Sequence, residues 1–293
     1  MKFKSYKLLI LFLFSAFAFI SCEKEITIDL PEESPKIVIE GYIENGQPAI
    51  VSITKSAPYF DPIDSTTLLS SMVLNAVVTV SDGTTTEQLQ FDTVMSIPPI
   101  VYVGKNIIGE IGKTYYLTVV VNGQTYTSQT TLPNPVAFDS LWFRLAPDND
   151  TIGDVFAIGT DNGAEYNYYR VFTKNTTIDY KFVPIFESVW DDKFFNGMSF
   201  TIQLYHGISS NITDMFDEDD DRGMGYKVGD MVITKLCTMD YDSYNFWSAA
   251  ESEIVYGSNP FMTTTSVPTN IKGGAIGCWT GYTATYDTII CTP

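Results

Sequence analysis

The chain opens on Lys2, Lys4 and Lys7, and then runs apolar from Leu8 to Ile20, broken only by Ser15. A helix of that length rises about 20 Å, short of the roughly 20 residues a bilayer span needs. A basic start followed by a short apolar stretch predicts a cleaved signal peptide over residues 1–21. Beyond it the pattern changes. Residues 22–35 are acidic, carry two prolines and read as a tether. From Lys36 onward come KIVIEGYIEN, PAIVSITKSAPYF, LNAVVTVSDG, TEQLQFDTV, IVYVG, TYYLTVVVNG and QTYTSQTTL, each rich in Val, Ile, Thr and Tyr and each bounded by Gly, Asn, Asp or Pro. Such spacing predicts an immunoglobulin-like or transthyretin-like β-sandwich over residues 36–132. Asp82-Gly83 and Asn122-Gly123 mark hairpins, because both residue types accept positive φ.

The segment LPNPVAFDS, residues 132–140, carries two prolines and predicts a linker. A second antiparallel β-domain, barrel-like or a sandwich, is expected over residues 136–293. Its strands are SLWFRLA, DVFAIGT, YNYYRVFTKN, YKFVPIF, MSFTIQLYH, DMVITKLCTM and GGAIGCWTGYTATYDTIIC. One helix is expected at about residues 240–256, with Asp240 as its cap and Tyr244, Trp247, Glu251 and Ile254 at helical spacing. The fold class is therefore mainly β, two β-domains with one helix near the C-terminus.

Charge narrows the function. The chain carries a net charge of −18, and loss of the three lysines in residues 1–21 makes it more acidic still. Such a surface repels phosphate backbones, so no nucleic acid is expected as a partner. The apolar run ends at Ser21-Cys22, which resembles a bacterial lipoprotein signal. That resemblance implies a diacylglycerol on the Cys22 thiol and an acylated new amino terminus. Phe19 stands where the usual signal has an aliphatic residue. Several acyl chains hold a protein firmly, each buried CH2 contributing about 0.8 kcal/mol.

Three further cysteines, Cys237, Cys278 and Cys291, lie near the C-terminus. In an oxidising compartment they permit one disulfide and one spare thiol, with the pairing open, or three free buried thiols. The inventory argues against an enzyme. His206 is the single histidine, there is no G-x-S-x-G, and the glycines at 223–229 and 273–277 lack the strand-turn-helix frame of a phosphate cradle. No cofactor is expected. Asp217, Asp219 and Asp221 alternate in an acidic stretch and form a weak calcium candidate, but Arg222 and Val228 stand where an EF-hand loop needs Gly and Glu. Tyr166, Tyr168, Tyr169, Trp190, Phe194 and Phe195 concentrate aromatic surface. Strand alternation puts Tyr166 and Tyr168 on one face and Tyr169 on the other.

The start CEKEITIDLPEESPKIVIEGYIENGQPAIVSITKSAPYF resembles members of the family of domain of unknown function 4249. So do EYNYYRVF, DDKFFNGMSF, YKVGDMVITKLCTMDYDSYNFW and SNPFMTTTSVPTNIKGGAIGCWTGY. The most specific part is Asn259, Pro260, Phe261, Pro268, Asn270, Ile271, Gly273 and Gly274. The acidic stretch at 217–221 and the late cysteines depart from the family pattern. The resemblance implies an outer-membrane lipoprotein of Bacteroidota associated with a TonB-dependent transporter and a nutrient ligand. It supplies no catalytic residues. Glu23, Lys24 and Glu25 are similar to the export signal that sends such lipoproteins to the cell surface. Two other readings stay open: a hydrolase of surface glycans or peptides using a carboxylate pair, and a structural envelope or adhesion component.

Overall fold

The computed structural model describes residues 34–57, 65–93, 99–207, 222–256 and 266–293. The signal peptide, Cys22, the export signal Glu23, Lys24 and Glu25, the acidic candidates Asp217, Asp219 and Asp221, and Asn259, Pro260 and Phe261 lie outside these residues.

The Val- and Ile-rich runs form strands because alternate side chains can be buried on one or both faces. Eight of them build one long sheet. Its order is β12 (Val183–Asp191), β11 (Tyr168–Asn175), β15 (Met231–Met239), β16 (Ile276–Ile290), β1 (Ile37–Glu44), β2 (Pro48–Lys55), β6 (Ile100–Ile108) and β5 (Gln90–Thr93). The pairing is antiparallel except between β16 and β1, which run parallel from Val38↔Ile276 to Glu44↔Tyr282. A second sheet has the order β4 (Thr86–Gln88), β3 (Val77–Ser81), β7 (Thr114–Val121) and β8 (Gln124–Thr131). In the third, β10 (Ile152–Thr160) lies between β13 (Ser199–Leu204) and β14 (Tyr226–Lys227) and also pairs with β9 (Phe138–Leu145). Two helices occur among the described residues, α1 (Ser65–Ser71) and α2 (Tyr241–Tyr256).

Alternation along β16 sets the layers. Trp279 enters a core with Ile39, Ile43, Val51, Val80, Leu117 and Val119. Ile289, on the same face by parity, packs against a second core of Val155, Ala157, Tyr169, Val171, Val232 and Leu236. Tyr282 and Ala284, of opposite parity, pack with Tyr244 and Trp247 of α2. Both four-stranded sheets thus cover one face of the long sheet, and α2 covers part of the other.

The structure is mainly β, sandwich-like with a helix near the C-terminus, and no sheet among the described residues closes into a barrel. The two expected domains, 36–132 and 136–293, share the long sheet and the first core, which takes Ile271, Ala275 and Trp279 from the second range, and residues 35–293 make one compact unit. Prolines 133 and 135 punctuate the path from β8 to β9, while β16 returns to pair with the first strand. Both hairpin signals are seen. Asn122 and Gly123 have φ of 50° and 81°, as a two-residue turn between β7 and β8 requires, and Gly83 has φ of 87°.

Candidate functional site

The side chain of Asp240 starts the site. One oxygen accepts the Ser243 N–H at 2.9 Å, capping α2 as its sequence predicts, and the other accepts the Thr131 N–H at 3.1 Å and the Thr130 hydroxyl at 2.5 Å. The helix start is thereby pinned to the end of β8.

Residues 268–274, which carry most of the described family motif, lie along the open edge of β8. The Asn270 side chain behaves like a strand partner: its Nδ2 donates to the Trp279 carbonyl at 2.8 Å and its Oδ1 accepts the Trp279 N–H at 2.9 Å. The Asn270 carbonyl accepts the Ser128 hydroxyl at 2.9 Å, and Thr127 and Lys272 exchange two backbone bonds of 3.1 and 2.7 Å. Ile271 is 5% exposed and joins the first core. Gly273 and Gly274 hold φ of 104° and 93°, and a Cβ on Gly273 would lie 2.6 Å from the Thr125 carbonyl oxygen. Gly273 therefore has a steric reason to be glycine.

These pieces enclose a cleft of about 480 Å³, within the roughly 300–1,000 Å³ range of small-molecule sites. Its floor is the outer face of β7 and β8, where Tyr116 stands opposite Gln129 and Thr118 opposite Thr127. Pro268, Thr269, Asn270, Ile271 and Lys272 form one wall, and Asp242 and Asn245 of α2 contribute to another. Gln129 and Asn245 each offer both a donor and an acceptor, the threonines add hydroxyls, and Tyr116 presents a ring that is 44% exposed. Such a lining, with Lys272 on one wall and Asp242 on another, suits a polar ligand.

On the opposite face of the long sheet, α2 is held by a buried charged layer. Arg170 stacks its guanidinium 3.5 Å from the Trp247 ring centroid, donates to the Tyr282 hydroxyl at 2.7 Å and lies 3.5 Å from Glu251. Glu251 accepts the Ser188 N–H at 2.9 Å and bonds its hydroxyl. Beside it, Lys235 pairs with Glu44, which also accepts the Tyr286 hydroxyl, and Phe172, Phe182, Tyr282 and Tyr286 surround the ammonium at 5.2 to 5.9 Å. Buried charges persist when paired and hydrogen-bonded, and here they orient the helix that walls the cleft.

Among the other sequence-predicted residues, Cys237, Cys278 and Cys291 are all buried free thiols, so the disulfide alternative is corrected. Cys237 stands opposite Ala284, six residues along β16 from Cys278, a separation of about 20 Å at strand rise. A disulfide needs Cα atoms within about 7 Å. Cys291 lies in the second core. Burial pushes each thiol up to about 12. His206 is held 3.0 Å from Asp179 and packs edge-on to Tyr226. The aromatics split as alternation requires: Tyr168 packs against Tyr166 and Tyr244, while Tyr169 enters the second core with Trp190, Phe195 and Phe200. Ile254, at helical spacing with the buried face, is 81% exposed. Gln129, Asn245 and Tyr116 were not legible as site residues. They meet only because β8, α2 and the 268–272 segment converge, and no local spacing encodes that.

Comparison with curated proteins gives no match. The family model described as Domain of unknown function (DUF4249) matches residues 23–288, and the chain belongs to that family.

Proposed function

We propose that this chain is an outer-membrane-anchored, surface-exposed lipoprotein that serves as a non-enzymatic binding component of a TonB-dependent nutrient transport system. The lipid is carried on Cys22, and Glu23, Lys24 and Glu25 direct it to the outer face. The observation that carries the binding role is the cleft of about 480 Å³ walled by Pro268, Asn270 and Ile271. Its amides, hydroxyls and single aromatic ring match a ligand bound by hydrogen bonds and stacking. The charged layer under α2 fixes one wall, so the cleft is preformed and little ordering opposes binding.

Purifying the full-length protein from detergent-solubilised membranes tests the partner. Co-purification of a β-barrel transporter is the expected result, and its absence overturns that assignment. Cys22→Ala is expected to release the protein to the soluble fraction, whereas continued membrane retention overturns the anchor.

A further inference from the structure

Along β8 the main chain bonds to alternate sides. The Leu132 N–H, just past the strand, donates to the Lys113 carbonyl at 3.1 Å, so the even-numbered residues bond toward β7. Thr127, Gln129 and Thr131 therefore turn their N–H and C=O groups to the outer edge. The first and last are anchored there: Thr127 exchanges two backbone bonds with Lys272, and the Thr131 N–H donates to Asp240 at 3.1 Å. Gln129, between them, keeps a main-chain N–H and C=O that no described residue bonds.

The segment beside this edge leaves the plane of the sheet. The Asn270 carbonyl accepts the hydroxyl of the buried Ser128, and Ile271 enters the first core. Asn270 thus sits toward the core side of the edge, and Ser128, Gln129 and Asn270 all line the cleft.

Charge marks the two ends. Lys272, directly opposite Thr127, shares its outward face, and Asp242 stands in the first turn of α2, whose cap Asp240 holds Thr131. Both line the cleft, both are exposed, and neither has an ion pair among the described residues. Asp240 already caps the positive end of α2, so the Asp242 wall stays acidic. From Thr127 to Thr131 a strand rises about 13 Å, which about three to four extended residues span.

On the binding role given to this cleft above, on which the assignment rests, we propose that its ligand is a short extended peptide with both ends free, added antiparallel to β8. A central residue of the ligand exchanges two main-chain bonds with Gln129, its ammonium faces Asp242 and its carboxylate faces Lys272. Main-chain bonds supply affinity for many sequences, as in strand addition to an exposed edge, and the Tyr116 ring on the floor meets an outward side chain. A neutral sugar offers neither the paired N–H and C=O nor the opposite terminal charges that these groups would meet.

The test is calorimetric titration of tetra-alanine into the full-length, detergent-solubilised protein, beside its N-acetylated form, its C-amidated form and maltotriose. Saturable binding of tetra-alanine is expected, with each capped form roughly 3–10-fold weaker, the worth of a partly solvated charged contact. Asp242→Asn should erase the acetyl penalty and keep the amide one, and Lys272→Gln should do the reverse. Of two tetra-alanines N-methylated at the second or the third residue, one should lose binding and the other keep it, because only alternate N–H groups face β8. Methylated peptides that bind alike overturn the strand pairing, and capped peptides that bind like the free one overturn the recognition of the ends. Maltotriose binding that Tyr116→Ala weakens, with no binding of tetra-alanine, overturns the peptide assignment and leaves the cleft as the binding site. Tetra-alanine affinity that Asp242→Asn and Lys272→Gln both leave unchanged places the peptide elsewhere and overturns the cleft with it. Binding of neither probe also overturns the peptide assignment.

Discussion

Trp279, on the C-terminal strand, donates its indole N–H to the Tyr115 carbonyl at 3.1 Å, with both residues fully buried. The bond joins the long sheet to the four-stranded sheet across a core that draws residues from both halves of the chain. Without β16 the first core would lose its largest side chain and β1 its parallel partner.

Trp279→Ala is therefore expected to destabilise the protein by about 3–5 kcal/mol. Unfolding of the wild type, followed by calorimetry and far-ultraviolet circular dichroism, should be one transition, because the shared sheet couples both cores. Two separable transitions, with only the later one unaffected by the substitution, would show independent domains instead.

Glu87 on β4 reaches across to β6, where its carboxylate accepts the N–H groups of Lys105 at 2.7 Å, Asn106 at 2.9 Å and Ile107 at 2.8 Å. Burial alone would raise its pKa, but the Ile107, Asn106 and Lys105 amides outweigh it and hold the carboxyl below its ordinary 4.5. A lowered folded pKa gives stability that is present above pH 4.5 and lost as pH falls through the folded value. Glu87→Gln should cost about 1–2 kcal/mol at neutral pH, within the range for charged hydrogen bonds at a partly solvated site. The gap from wild type should close in acid, as chemical denaturation across pH would read.

Lys235→Met leaves Glu44 buried with only the Tyr286 hydroxyl and should destabilise by about 3–5 kcal/mol. The double substitution Lys235→Met with Glu44→Gln removes the stranded charge and should recover much of that loss. A double variant as unstable as the single one would mean that packing around the lysine stem, rather than charge, dominates.

The three late cysteines should resist alkylation by iodoacetamide in the native protein, because all are fully buried and pushed up to about 12, which leaves almost no thiolate. Mass spectrometry after denaturation without reductant should then find Cys237, Cys278 and Cys291 all modified. A protected pair would contradict the free-thiol geometry.

Strand content was legible because alternation of Val, Ile, Thr and Tyr is a local property. So were the Asn122-Gly123 turn and the Asp240 cap, since each depends on the backbone preferences of one or two residues. TEQLQFDTV shows where local reading stops: it reads as one strand but forms β4 and β5 in different sheets, with the buried Leu89 at the corner. Periodicity continues through such a corner, so nothing in the run announces the change of partner.

By itself, then, the sequence determined the β-rich class, the helix near the C-terminus, its capping residue and the hairpin turns, because these follow from interactions within a few residues. Tertiary structure alone decided that β16 pairs with β1 and that Asn270 seals an edge beside the cleft. Contacts such as Ser128 with Asn270 and Asn45 with Ala284 join residues 142 and 239 positions apart, and strand partners at that range are chosen by the burial of whole faces rather than by local spacing.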